Sequence, residues 1–156
     1  MSTQNVLSKE EILEHWLGHR RLTRRVIEAF PEKELFEYSI GGMRTFADLV
    51  KELISIDVPG LNGIVTKSME PYNHNLDLHT KEDLLKEWDA NTPELIDLYN
   101  QIPIERFHES FNLFGQYEFP VIHNIMYFID NEIHHRGQGT VYLRSLGIEP
   151  PFFWER

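Results

Sequence analysis

The residues Asn131-Glu132-Ile133-His134-His135-Arg136-Gly137-Gln138 place three kinds of metal ligand or proton carrier (Asn, Glu, His) within five positions. They fall near the end of a run with helical spacing, where Asn131 and His135 are i and i+4 and share one face. Continued backwards, that face carries Tyr127 and His123. A stripe of His123, Tyr127, Asn131 and His135, on a helix otherwise rich in Ile, Met, Phe and Leu, must have its polar groups satisfied inside the fold. His135 is the best single candidate for a metal ligand. Tyr127 and His123 have the chemistry of general acids or bases, although core residues with satisfied polar tips account for them equally.

A metal site draws three or four ligands from at least two elements. Glu52 lies among Leu49, Leu53 and Ile56 on an earlier helix, and a carboxylate facing inward there needs a cation or a histidine beside it. Glu52, Asn131 and His135, with His19 or Glu132 open as further ligands, form a nitrogen and oxygen donor set. Such a set suits nickel, zinc, iron or manganese. His134 is turned by about 100° from His135 and reads as a packing or supporting residue. Glu132 and Arg136, at i and i+4, read as a surface salt bridge. Gly137 and Gly139 point to tight packing or to access for a bound molecule.

The elements that must position these residues are helical. Ser8-Lys9-Glu10-Glu11 is a capping-box pattern, and the run to about Phe30 buries Ile12, Trp16, Thr23, Val26, Ile27 and Phe30 before Pro31 closes it. The stretch 36–43, with Gly41-Gly42, reads as a loop. Thr45 starts a second helix, which Pro59-Gly60 should break or kink before it resumes to Met69. A polar loop follows over 71–78. Thr80 caps a third helix to about Ile102, with Pro93 as a kink or restart. The stretch 104–118 has room for a short extended piece. Pro120 opens a fourth helix that stops at Leu146-Gly147. The aromatics of the tail, Phe152, Phe153 and Trp154, are expected to pack back on the bundle. Four long helices without a repeat or a linker make an all-α protein, a helical bundle in one domain of 156 residues.

Composition narrows the function. The formal net charge of -10 opposes nucleic acid as a partner. Arg20, Arg21, Arg24 and Arg25 form a local exception, which reads as a solvated helix face balanced by Glu10, Glu11, Glu14 and Glu28. With no cysteine, disulfides and thiolate nucleophiles are excluded, and any thiol must come from outside the chain. Met1 to Val6 have neither the basic nor the apolar region of a leader, and no segment is long and apolar enough to span a bilayer, so the expected location is cytoplasmic, away from the membrane. Nucleotide-binding glycine loops and serine-hydrolase motifs are missing from the sequence.

His134-His135-Arg136-Gly137-Gln138, followed by Tyr142-Leu143-Arg144-Ser145-Leu146-Gly147-Ile148-Glu149-Pro150-Pro151, resembles the DinB/YfiT-like superfamily over about thirty residues. The resemblance implies an up-down-down-up four-helix bundle, a homodimer, and a divalent metal, nickel or zinc first, held on three histidines in many members. Some relatives are transferases or isomerases that use bacillithiol, mycothiol or glutathione. The third family histidine matches His135. Its partner four residues earlier falls on Asn131, and the histidine of the second helix, in a Thr-x-x-Glu-Leu-x-x-His pattern, falls on Glu52.

Two functions follow. In one, a cation on Glu52, Asn131 and His135 activates water or an external thiol in a transferase or hydrolase, with Tyr127 or His123 moving protons. In the other, the same residues close a metal-free hydrogen-bond network or line a pocket for a small molecule.

Overall fold

Side-chain caps fix where the long helices begin. In the computed structural model, which describes residues 4–156, α1 (Lys9–Ala29) starts from a reciprocal box. Glu11 N donates to Ser8 Oγ at 3.1 Å, and Ser8 N donates to Glu11 Oε2 at 2.7 Å. Thr45 and Thr80 accept from Asp48 N and Asp83 N and so start α3 (Phe46–Thr66) and α4 (Lys81–Gln101). Pro120 precedes α5 (Val121–Ser145), which ends in a Schellman turn. Gly147, at φ 76°, donates to Arg144 O, and Ile148 N reaches back to Leu143 O. Met1 to Thr3, part of the stretch read as lacking a leader, lie outside the described residues. Among the described residues no helix is long and apolar enough to cross a membrane.

Several expectations need correction. Between α1 and α3 the chain forms a short helix, α2 (Glu32–Glu37), too brief for a periodic signal. α3 runs through Pro59 and stops at Lys67, in the left-handed region at φ 58°. A proline removes one helical donor, and the packing on either side of it outweighs that loss. Gly60 is a contact point and not a stop, because a Cβ there would lie 2.6 Å from Phe128 Cζ. α4 likewise continues through Pro93. The segment 104–118 holds a 3₁₀ turn (Ile104–His108) and β1 (Ser110–Leu113), which pairs antiparallel with β2 (Tyr117–Pro120). Their tight turn puts Phe114 at φ 53° and Gly115 at φ 70°, both in the left-handed region, and Gln116 N donates to Leu113 O to close it. The tail aromatics Phe152, Phe153 and Trp154 stay exposed and stack on one another rather than on the core.

The core shows how the helices run. One apolar cluster gathers Leu13 and Trp16 of α1, Leu61 and Ile64 of α3, Leu95 and Tyr99 of α4, and Ile125 and Phe128 of α5. A second gathers Val26 and Ile27, Phe46 and Val50, Leu84 and Trp88, and Tyr142 and Leu143 from the same four helices. α1 and α5 therefore travel from the first cluster to the second, and α3 and α4 travel back. This is the up-down-down-up bundle, in which α1 packs on α4 and α5, and α3 packs on the same two from the opposite corner. Gly139 sets the closeness of α5 to α3, because a Cβ there would sit 2.4 Å from Phe46 Cε2.

Between the two clusters lies a buried polar layer, and here the sequence expectation was wrong twice. Arg20 is not part of a solvated face. It is 2% exposed and pairs at 3.1 Å with Asp57, itself 1% exposed, across the bundle diagonal. Its guanidinium also stacks over Trp88, with the carbon 3.9 Å from the ring centroid, and donates to Thr92 Oγ1. Nor are Glu132 and Arg136 a surface pair. Glu132 is fully buried and accepts from Thr23 Oγ1 at 2.7 Å and from Trp16 Nε1 at 3.3 Å. Arg136 donates to His19 O and Thr23 Oγ1, and its other amine lies 2.9 Å from His19 Nδ1. Burial pushes the Asp57 and Glu132 carboxyls up while Arg20 pulls both down. Burial, followed by Arg136, His15 and Arg156, lowers His19 to about 3, so its ring is neutral at pH 7.

Two stability outcomes are expected in denaturant titrations. Gly139→Ala should destabilise by about 1–3 kcal/mol, because the stacked ring of Phe46 on Phe30 cannot easily retreat. Arg20→Met should cost on the order of 3 kcal/mol by stranding the Asp57 carboxyl. A loss below 1 kcal/mol in the second case would show that the diagonal pair does not hold the layer.

Candidate functional site: a cleft between α3 and α5

One turn of α5 serves two directions. Glu132 and Arg136 face α1, whereas His135 turns toward α3 and meets Glu52, with Nε2 3.0 Å from Oε1. The pairing expected from two separate helices is therefore present. The other Glu52 oxygen, Oε2, lies 2.5 Å from an amine of Arg44, which stands just before the Thr45 cap. Burial alone would raise the Glu52 carboxyl. The hydrogen bonds and charges of His135 and Arg44 outweigh it and bring the group down to about 2, so it is ionised at neutral pH.

Glu52 forms part of the wall of a cleft of about 230 Å³ that Arg44, Ile56, Tyr72, His74, Phe114, Gln116, Tyr117 and Tyr127 also line. Two aromatic walls face it. Tyr72 stacks with His74 and meets Phe114 edge-on at the hairpin tip, while Tyr117 stacks with Tyr127 at 5.6 Å. Burial raises the phenols of Tyr127 and Tyr72, the latter to about 12, so both keep their protons at pH 7 and act as donors.

The other candidates divide. Tyr127 lines the cleft. His123 is exposed at the first turn of α5 and is not among the lining residues, because the stripe follows the helix outward there. Asn131 is half-buried, with its Nδ2 buried and lacking a hydrogen-bond partner, as is His135 Nδ1. Neither His19 nor Glu132 joins Glu52, since both are committed to the α1–α5 layer. His134 is exposed beside Gln138. Arg44, Tyr72, His74 and the hairpin aromatics were missed by sequence reasoning. The sole signal was Arg44 lying eight residues before Glu52, ahead of a helix cap.

The donors are a poor match for nickel or zinc. Both Glu52 oxygens are engaged, one of them by a guanidinium that already supplies the positive charge. Asn131 brings an amide where nickel or zinc favours imidazole. Among the described residues, no three His, Cys, Asp or Glu side chains come together as a metal-holding group.

Comparison with known proteins agrees with the topology. A model of the DinB family matches residues 1–155. The chain belongs to the DinB family. YjoA of Bacillus subtilis strain 168, an uncharacterized protein, is 25% identical over 150 residues, covering 94% of this chain and 96% of that protein. The solved structure of a DinB-like protein from Bacillus cereus ATCC 10987 superposes with a TM-score of 0.73 at 19% identity, over 92% of this chain and 95% of the other. The solved structure of YjoA gives a TM-score of 0.71 at 21% identity, over 93% and 99%. At those identities the solved structures speak for the fold alone.

Glu52→Gln tests the electrostatics of this DinB-family cleft. A carboxyl held at about 2, against 4.5 when unperturbed, stabilises the fold above pH 4.5, and that stability is lost as pH falls toward 2. The variant should be less stable than the parent at pH 7, on the order of 2 kcal/mol, and should converge on it near pH 2. A difference that stays constant across this window would show that Glu52 is not held ionised by its partners.

Proposed function

We propose that the protein is a metal-independent binding bundle whose ligand occupies the α3–α5 cleft. The observation that carries this reading is the closure of Glu52 by His135 on one oxygen and by Arg44 on the other. An arginine there does what a cation would do for the carboxylate, and it leaves the cleft close to neutral. The remaining groups in the cleft are mostly donors: the outward edge of the half-exposed Arg44, the phenols of Tyr72 and Tyr127, and the Gln116 amide.

Facing aromatic walls and convergent donors suit a small flat molecule that carries an acceptor group, such as an aromatic carboxylate. The cleft volume of about 230 Å³ lies below the roughly 300–1,000 Å³ of drug-sized sites. Arginine offers a carboxylate a planar fork, and tyrosine faces supply rigid apolar area.

Calorimetry with benzoate and its ring-substituted analogues, with and without a chelator, tests this reading. Binding should persist in the chelator and weaken by about tenfold or more in Arg44→Ala, the loss of roughly one charge-assisted bond. A stoichiometric transition metal in protein purified without a tag, or binding abolished by the chelator, would overturn it.

A further inference from the structure

A groove of about 210 Å³ lies where the tail passes over α1 and α5, and it shares no lining residue with the α3–α5 cleft. From α5 come Arg136, Thr140 and Arg144, four residues apart, with Arg144 at the exposed rim. Leu22 and Val26 of α1 supply an apolar wall. Phe152 and Trp154 of the tail, stacked at 4.8 Å, supply an aromatic one.

The groove holds more positive charge than the chain neutralises. Arg136 is only 5% exposed, yet none of the ion pairs among the described residues engages it or Arg144. Its two amines reach neutral acceptors alone, His19 O, His19 Nδ1 and Thr23 Oγ1, and its Nε has no partner among the described residues. Glu132 gives its oxygens to Thr23 and Trp16 instead. An arginine so deep in a protein is ordinarily paired.

His19 adds to the excess. Arg136 Nη2 lies 2.9 Å from its Nδ1, and Arg156 Nη1 lies 2.9 Å from its Nε2. A neutral imidazole accepts at one nitrogen and donates at the other. One of the two guanidiniums therefore aims a donor at a donor, and an anion beside Arg136 would give the spare N–H an acceptor.

We propose that this groove binds a phosphate monoester carried on a flat ring, with Arg136, Thr140 and Arg144 on the phosphate and Trp154 against the ring. Arg136 and Arg144 stand about 12 Å apart along the axis, with Thr140 midway, so two long side chains can close on the hydroxyl from either side. Near pH 7 a phosphate monoester carries close to two charges and three acceptor oxygens. Two guanidiniums and a hydroxyl match that better than they match a carboxylate. The ring covers Trp154, which is 62% exposed, and turns its other face to Leu22 and Val26.

Trp154 also provides the test. Of the three tryptophans, Trp16 and Trp88 are 0% and 1% exposed, so acrylamide quenches Trp154 well before the others. Phenyl phosphate added to the full chain should shield Trp154 from the quencher. Arg136 holds the α1–α5 layer, so the variants are made at Arg144 and Thr140, where a change leaves the core intact. Arg144→Ala should weaken binding by about tenfold or more, the loss of roughly one charge-assisted bond, and Thr140→Val should weaken it less. Inorganic phosphate should bind more weakly than phenyl phosphate and leave Trp154 open. Arg44→Ala should leave phenyl phosphate binding unchanged, and Arg144→Ala should leave benzoate binding in the cleft unchanged, so the two sites fail separately. The proposal is overturned by a Trp154 still unshielded at about 1 mM phenyl phosphate, by equal affinity for inorganic phosphate, or by binding that Arg44→Ala removes and Arg144→Ala does not.

Discussion

A guanidinium with almost no access to water organises this bundle. Arg20 reaches from α1 across the diagonal to Asp57 of α3, lies flat on Trp88 of α4, and shares its field with Glu132 of α5. An ion pair at that depth is weak evidence for stability as such, because desolvation offsets most of the attraction. What it does supply is register. Sliding α1, α3 or α5 by one turn would move a charge into an apolar cluster, where no partner exists for it, and sliding α4 would take Trp88 from under the guanidinium. The two clusters on either side are ordinary aliphatic and aromatic packing and would tolerate such a slip far better.

The cleft depends on that layer through the rotation of α5. Thr23 and Trp16 hold Glu132, and the His19 region holds Arg136, so the angular position of the helix is set from the α1 side. His135, adjacent in sequence to Arg136, is thereby aimed at α3 and at Glu52. Gly139, a turn further on, lets α5 press close against Phe46 and so brings the two helices together. Arg44 then completes the arrangement from outside the helix, at its capped start. The electrostatic consequence is that Glu52 enters the cleft already paired and ionised, with its charge balanced by Arg44 and no proton to offer a substrate.

Much of the frame was legible in the sequence because it is written in local chemistry. Ser8, Thr45 and Thr80 announce their helices, Gly147 ends the last one, and the Glu52–His135 contact follows from two polar residues each set in an apolar stripe. What escaped was whatever depends on depth or on loops. Glu132 and Arg136 have the spacing of an exposed ion pair, and spacing is the same at the surface and in the core. Arg20 looked like one of a run of four arginines, of which Arg21, Arg24 and Arg25 do pair near the surface. Arg44, Tyr72, His74 and Phe114 come to the cleft from loops and a hairpin tip, where no periodicity says which way a side chain points.

The last helix shows why its motif is so hard to read in isolation. Within 25 residues α5 carries polar groups in three directions: Tyr127, Asn131 and His135 toward α3, Glu132 and Arg136 toward α1, and Asp130, His134 and Arg144 outward. A helix with one task shows one apolar stripe, and its polar residues can be assigned to water by default. Here that default fails, because two of the three polar stripes are buried. Each buried stripe meets a different neighbour, and the run from Asn131 to Gly137 crosses all three faces in two turns. Residue types in such a block resemble a ligand cluster because they are consecutive, yet consecutive helical residues point apart. The function of the block is distributed accordingly: Glu132 and Arg136 fix the register, His135 closes the carboxylate of the cleft, and Gly137 leaves the outer surface open.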